Sequence, residues 1–518
     1  MQTVTSQFIA DCGSKIRKLY WGCLISFQKT FASGITFFTI GTSTIGGTDI
    51  IKGVGDVVQE WDKYNYTDYT NRVISFEYTR EQDPYLGGGV LSMADVTLDN
   101  HDDWFTPNNP HSDIRSHILP WRPIRLYAGF RNEAVPVFVG LTEKMPSIDE
   151  KGKTVTFHCI DFMQKLFNYP LDESVIYQNQ TTDYIIGQLL QLAGLGPTQY
   201  ILDSGFNIVD FFYAKKGDKL GTYLRKLAQA ELGRIYMDEY GIIRFVNRTN
   251  WTNNIASSWH FDKSNILDRR PSTEDNLINV VEVKADVREV LANQKFWELQ
   301  TPIQVPANSS INIWADFSDP VTGVDDPVYI TSATTSFYTT NKEKDGSGEA
   351  YSANISLSAI SKFATSCKMT FANDNATTPI YITTLELFAT PAKVTHQVYA
   401  RYQDDDSVED YHERPVVIEN EFIPDESTGN SLATIVVTDN KDYNDYREIE
   451  VVGAPQLQIG DLVGVSDENQ KDTYYITKIV GKMVDAKFTQ VLTVVKKTIN
   501  KYFRIGISTI GGSDQIAP

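Results

Sequence analysis

The chain has 518 residues, enough for about three or four domains with cores that need no disulfide or metal. Hydrophobic residues make up 41% and charged residues 22%, a globular balance that excludes wholesale disorder. The net charge of -19 argues against a duplex-binding surface, and 27 Tyr with 26 Phe favour strands over helix bundles.

At the N-terminus, Phe8, Ile9, Cys12, Ile16 and Leu19 share one face at helical spacing and predict a helix from Thr5 to Leu19. A strand-like stretch from Leu24 to Phe38 follows. Lys15, Arg17 and Lys18 precede a short apolar run, Leu19 to Phe27, but Gln28 and Lys29 break it. A cleaved signal is therefore not expected, and the chain is read as made and folded in a cytoplasm. No apolar run approaches the ~20 residues that span a bilayer, so no transmembrane segment is expected.

The two ends carry a repeat. Residues 38–49 read FTIGTSTIGGTD and residues 503–514 read FRIGISTIGGSD, identical at 9 of 12 positions and offset by 465. Two copies that bracket the rest of the chain are no solenoid. Each is a short apolar strand ending in a Gly-Gly turn. Phe38, Ile40, Ile45, Gly46, Gly47, Phe503, Ile505, Ile510, Gly511 and Gly512 are the candidate assembly interface, two equivalent strand-turn units for two equivalent docking sites.

Residues 60–165 alternate apolar and polar side chains in several short runs, among them Val73 to Tyr78, Val90 to Leu98, Ile124 to Phe130 and Thr154 to Ile160, the pattern of a barrel or sandwich. The run Val135 to Leu141 contains Pro136, which suits an edge or a strand start. Residues 170–250 change character. Thr182 and Asp183 can cap a helix carrying Ile185, Ile186, Leu189 and Leu190, and Asp218 can cap a second carrying Leu220, Tyr223, Leu224 and Leu227. The hairpin Arg234 to Val246, with its turn at Asp238–Gly241, completes an α+β module. Strand patterns return over 260–395. A last β block follows, with expected strands at Val416 to Phe422, Leu432 to Val437, Glu448 to Val452, Leu462 to Val465, Tyr474 to Val480 and Phe488 to Val495.

Signals for chemistry are sparse. The seven His form no HExxH or other metal-binding spacing, and no GxSxG elbow is present. Cys12, Cys23, Cys159 and Cys367 form no CxxC pair and are read as free buried thiols. Gly87 to Gly89 lacks the Lys-Ser/Thr of a phosphate loop. The acidic groups Asp99/Asp102/Asp103, Asp325/Asp326 and Asp404/Asp405/Asp406 do not match an EF-hand and are read as solvated loops. No catalytic, cofactor or metal residue is assigned, and the chain is not read as an enzyme.

Residues 91–126 read LSMADVTLDNHDDWFTPNNPHSDIRSHILPWRPIRL. Ala94, Thr97, Leu98, Asp99, Asn100, Asp102, Phe105 and Pro107, then Pro120, Arg122, Pro123 and Arg125, resemble the N-terminal fingerprint of phage minor tail proteins of the tail-tip or baseplate hub family. Asp103 stands where that family often has Gly. Phe138-Val-Gly140 to Cys159-Ile-Asp161, residues 220–245 (LGTYLRKLAQAELGRIYMDEYGIIRF), and Gly460-Asp461 with Tyr474 to Ile476 resemble later parts of the same family in the same order. The resemblance spans roughly residues 70–495.

That resemblance implies a mainly β protein with an α+β insertion: two tube-like β-barrels plus inserted modules, with three copies forming a ring. Its expected layout is an N-terminal helix and strand arm (1–55), a first barrel (56–168), an α+β module (169–252), a β-rich module (253–395), a second barrel (396–498) and a C-terminal arm (499–518). It further implies a virion structural protein at the tail tip that lines the DNA exit channel. The implied partners are its own copies in a homotrimer, the distal tail or tail tube protein, the tape measure protein and tail fibre or receptor-binding proteins, with no cofactor and no sequence-specific nucleic acid. The alternatives are a receptor- or carbohydrate-binding tail protein, a distal tail ring protein, and a cell-wall hydrolase fused to a tail protein, for which no catalytic pair is found.

Overall fold

The computed structural model describes residues 1–14, 17–28, 64–82, 88–89, 91–131, 133–172, 174–252, 259–271, 277–329, 335–350, 353–441, 446–466, 471–485 and 487–496. The protein is mainly β, with several sheets and a few helices. The largest sheet has 14 strands. Eleven of them, among the described residues, follow the path Ile266–Pro271, Tyr446–Val452, Lys487–Lys496, Lys471–Val484, Val73–Glu81, Leu91–Asp99, Thr154–Ile160, Glu133–Thr142, Pro123–Phe130, Leu19–Ile25 and Thr67–Asp68, while Ser147–Asp149, Trp259–Phe261 and Leu462–Ser466 pair off it.

The early and late β blocks therefore meet in one sheet. The seam is the antiparallel pair Val73–Glu81 and Lys471–Val484, in register from Ser75 opposite Val484 to Glu81 opposite Lys478. Period-two alternation turns Phe76 and Tyr78 inward, where they join Val96, Leu98 and Phe157 from the early block and Val451, Ile476 and Leu492 from the late one in a single core. Each block covers the other's strand edge at the seam.

The α+β module carries the helices Thr182–Leu192 and Leu220–Gln229, and the short helix Phe162–Phe167, expected within the first barrel, joins its core through Met163, Leu166 and Phe167. The Arg234–Met237 and Ile243–Val246 strands form its hairpin, and Gly88–Gly89 of the early block pairs parallel with Arg234 and Ile235. The capping differs in detail from expectation. Thr181 is the N-cap of the first long helix, and Asp218, expected to cap the second, instead accepts a hydrogen bond from the Tyr223 hydroxyl at 2.6 Å. This module shares a second core with Val281, Val283, Val398 and Ala400, and with the helix Glu426–Asn440.

That helix corrects the strand expected from Leu432 to Val437. Asp425 caps it by accepting from the Thr428 N–H at 2.7 Å. Gly429, Leu432, Ala433, Val436, Val437 and Asn440 are its buried face, a spacing of three and four that the β-branched run conceals. Gly429 lets it lie close on the sheet, because a Cβ there would come within 3.2 Å of the Ala400 Cβ.

A third core fills the module between residues 294 and 391, where the sheet Ser309–Asp316, Ser366–Asn373 and Ile355–Lys362 covers a second sheet. The 24-residue strand Ile380–Gln403 belongs to this module at one end and pairs with Val280–Val290 at the other. The boundary expected between 395 and 396 falls inside it.

At the N-terminus the helix is Ser6–Gly13, shorter than expected, and Leu19 already begins the strand Leu19–Ile25. Glu133–Thr142 pairs with Pro123–Phe130 along its length but with Thr154–Ile160 only at Leu141 and Thr142, so at Pro136 it has a single ladder neighbour, as expected of an edge position. Pro136 stands opposite Tyr127, next to a bulge that leaves Val137 without a cross-strand partner, and its carbonyl accepts from the Gln2 side chain at 2.9 Å. Among the described residues, no helix is long and apolar enough to cross a membrane.

Candidate inter-module junction

Alternation along Val73–Glu81 places Arg80 on the same inward side as Phe76 and Tyr78, and its side chain is 4% exposed. The guanidinium forms a buried ion pair with Glu239, from the turn of the α+β hairpin. It also donates to the Met237 carbonyl at 2.8 Å and to the Ser92 hydroxyl at 3.4 Å. Burial lowers the Arg80 pKa, opposed by the neighbouring Tyr236, Asp238 and Asp161.

Ser92 leads to Asp161. The Ser92 N–H donates to one Asp161 oxygen at 2.7 Å, and the Gln164 N–H donates to the other at 3.1 Å, so Asp161 caps the helix Phe162–Phe167 while gripping the early sheet. Burial pushes the Asp161 carboxyl up to about 6, against the backbone N–H bonds that favour its ionised form.

On the other side, Glu239 accepts from the Gln458 side chain at 2.5 Å. The Gln458 N–H donates to Asp461 at 2.8 Å, and Asp461 also pairs with the Met1 ammonium. Burial raises the Asp461 pKa, with that ammonium pulling it down. The Gln2 N–H donates to the Gln456 carbonyl at 2.9 Å. The N-terminus, the early sheet, the α+β module and the late block are thus tied by one buried polar network.

Each buried acid of the network comes from a segment that resembles the tail-tip fingerprint: Asp161, Glu239 and Asp461. Residues 99–107 do related work in a turn. The buried Asn100 accepts from the Phe105 N–H at 2.8 Å, and its own N–H donates to the Lys153 carbonyl at 2.8 Å. Phe105 is fully buried and meets the rings of Phe27, Tyr69 and Phe157. Asp103, where the family often has Gly, has φ of +54°, the left-handed conformation that Gly adopts without cost.

The acidic groups weighed as loops are held by neighbouring cations. Arg72 grips Asp102 in two bonds of 2.8 and 2.7 Å, Lys153 meets Asp103 at 3.2 Å, Lys362 meets Asp326 at 2.6 Å and Lys441 meets Asp404 at 2.8 Å. Among the described residues, no group of three or more His, Cys, Asp or Glu is placed to hold a metal. All four cysteines are free and buried, and burial raises their thiol pKa values.

The candidate assembly residues Phe38, Ile40, Ile45, Gly46, Gly47, Phe503, Ile505, Ile510, Gly511 and Gly512 lie outside the described residues. The residues that sequence reading passed over are Arg80 and Glu239. For Arg80 the available signal was a charge at an inward position of an otherwise apolar alternation; Glu239, in the hairpin turn, carried none.

No family model matches the chain, and no curated protein matches it. Among solved structures it is similar to a 43 kDa tail protein of prophage MuSo2 from Shewanella oneidensis, at 13% identity and a TM-score of 0.45, covering 83% of this chain and 95% of that one. It is also similar to a tail protein from Neisseria meningitidis MC58, at 8% identity and a TM-score of 0.46, with 84% and 94% covered. A prophage tail protein gp18 from Listeria monocytogenes EGD-e follows at 10% identity and a TM-score of 0.36, with 84% and 93% covered. These structural neighbours are phage tail proteins. Every one of these TM-scores is below 0.5, so the functional reading rests on the chain's own residues.

Proposed function

We propose that this protein is a structural hub of a phage tail tip, a trimeric ring that joins the tail tube to distal tip proteins and lines the channel through which DNA leaves. The observation that carries the reading is the junction. Three fingerprint segments far apart in the chain supply Asp161, Glu239 and Asp461 to one buried network, beside a seam that fuses the early and late β blocks.

A hub needs rigidity where it is loaded. Buried polar networks and continuous ladders supply it, and no reaction is assigned to the chain. In this reading the early and late blocks are the two tube-like units of each subunit, so three copies give six units around the channel. A net charge of -19 per copy suits a wall from which DNA must slide freely. The terminal repeats would serve as arms that add strands to neighbouring copies or to the distal tail, tape measure or fibre proteins. The place of action would be the virion tail tip, after synthesis in the host cytoplasm.

The test is the mass of the full-length protein in solution, alone and mixed with its tail-tube neighbour, together with particle images. Rings of three with a central hole are expected. Monomers that stay monomeric with that neighbour would overturn the reading.

A further inference from the structure

A cleft of about 810 Å³ opens between the α+β module and the outer β module. One wall comes from the segment around Ser174 and Ile176 and the turn at Lys215 and Lys216; the other comes from Trp314, Val321–Val324 and the hairpin end at Phe363–Ser366. The junction network lies elsewhere in the fold.

Two features of the cleft bear on what it could hold, a stacked aromatic pair and a local excess of lysine. The first is aromatic. Trp314 and Phe363 are 52% and 49% exposed, yet their rings stack with centroids 6.0 Å apart and planes within 18°. Large rings left half in water are placed for something other than the core. Lys368, directly across the ladder from Trp314, holds its ammonium 5.8 Å from the indole centroid and fixes the ring's position.

The second is charge. In a chain of net charge -19, among the described residues three lysines, Lys215, Lys216 and Lys362, line this cleft against one acid, Asp172. Asp172 already accepts from the Tyr169 hydroxyl at 2.7 Å, and Lys362 pairs with Asp326 at 2.6 Å. Lys215 and Lys216 are exposed, and among the described residues no carboxylate pairs with either ammonium. Ser174, Thr322, Thr365 and Ser366 also line the walls; the Ser174 hydroxyl accepts from the Lys216 N–H at 2.9 Å and the Thr322 hydroxyl donates to the Thr390 carbonyl at 3.2 Å.

From this combination we infer that the cleft binds an acidic polysaccharide. The C–H face of a pyranose ring packs on an exposed aromatic ring by apolar contact and dispersion. Ring hydroxyls exchange hydrogen bonds with Ser and Thr, and a uronate carboxylate pairs with the free lysines. An acidic peptide would use the lysines but leave the paired rings and the hydroxyl lining without a purpose. The proposal does not depend on the trimeric hub, since every residue it uses belongs to one chain.

The experiment is calorimetric titration of the full-length protein with a soluble oligogalacturonate, a neutral chito-oligosaccharide and poly-L-glutamate. Saturable binding of the oligogalacturonate is expected, weakened about tenfold or more by Trp314→Ala and by a Lys215→Ala/Lys216→Ala pair. Trp314→Tyr should restore most of the loss, and unchanged melting of all variants establishes that they fold. Failure of the oligogalacturonate to saturate, indifference to Trp314→Ala, or equally tight binding of the neutral sugar or of poly-L-glutamate would each overturn the proposal.

Discussion

Gly481 faces Tyr78 across the seam so closely that a Cβ at 481 would fall 2.2 Å from the tyrosine ring. The buried Tyr78 hydroxyl accepts from the Gln490 side chain at 2.9 Å, and the Gln490 oxygen accepts from the Ala454 N–H at 2.7 Å. A glycine in the late block is therefore the space into which an early-block ring fits, and that ring in turn positions the loop after residue 453.

Gly481→Val should consequently destabilise the chain by about 1–3 kcal/mol through overpacking. Tyr78→Phe should cost about 1–2 kcal/mol by leaving the buried Gln490 amide short of a partner. Urea midpoints of the full-length variants check both. A Gly481→Val midpoint equal to that of the natural chain would show that the seam is looser than described.

Arg80 and Glu239 make a prediction of a different kind. Removing one partner leaves a buried charge uncompensated, so Arg80→Met and Glu239→Met should each cost about 3–5 kcal/mol. The double variant should recover much of that loss, because two apolar side chains replace two desolvated charges. A double-mutant cycle on thermal unfolding measures it. Simple additivity would mean that the pair is not coupled.

Asp161 adds a pH dependence. Its folded pKa of about 6 lies above the ordinary 3.8, so the fold favours the neutral acid. The stability it contributes is full below about pH 3.8 and is lost as pH rises through about 6. Relative to the natural chain, Asp161→Asn should therefore gain stability on going from about pH 4 to about pH 7. A stability difference that stays constant across that window would contradict the burial argument.

Asp103 tests the fingerprint turn. With φ of +54°, Asp103→Gly should stay within about 0.5 kcal/mol of the natural chain, trading an exposed ion pair for backbone ease. Asp103→Val should cost about 1–2 kcal/mol, because a β-branched residue resists the left-handed region. Thermal midpoints of the two variants distinguish the effects.

The assembly role proposed for the terminal repeats makes a prediction of its own. Removing residues 503–518 should leave the melting of the remaining chain unchanged and weaken trimer or tail assembly, read by sedimentation and particle images. Unaltered assembly would sink the strand-addition role of the repeats.

Much of this architecture is visible in local patterning. Period-two alternation located Val73–Glu81, Leu91–Asp99 and Thr154–Ile160, and the spacing of Ile185, Ile186, Leu189 and Leu190 located a helix. The pattern misled where two physical preferences compete. Leu432 to Val437 is rich in β-branched residues, yet Asp425 caps it and a sheet receives it, so packing overrides propensity. Pro136, by contrast, does mark a stretch with a single ladder neighbour, as an edge reading expects. The convergence of Arg80, Asp161, Glu239 and Asp461 was not legible, because it depends on contacts between segments hundreds of residues apart, which periodicity does not report.

The strand Ile380–Gln403 has a mechanical consequence. It is one covalent spar shared by the outer module, whose strands Gln294–Glu298 and Phe337–Asn341 pair along one half, and by Val280–Val290, which pairs along the other. To swing freely, the outer module would have to tear ladder bonds on both sides of that spar. A pull on the rim of the cleft therefore travels along the backbone into the sheet beneath the helix Glu426–Asn440, so a load applied at the periphery is felt in the interior as strain and not dissipated in a hinge.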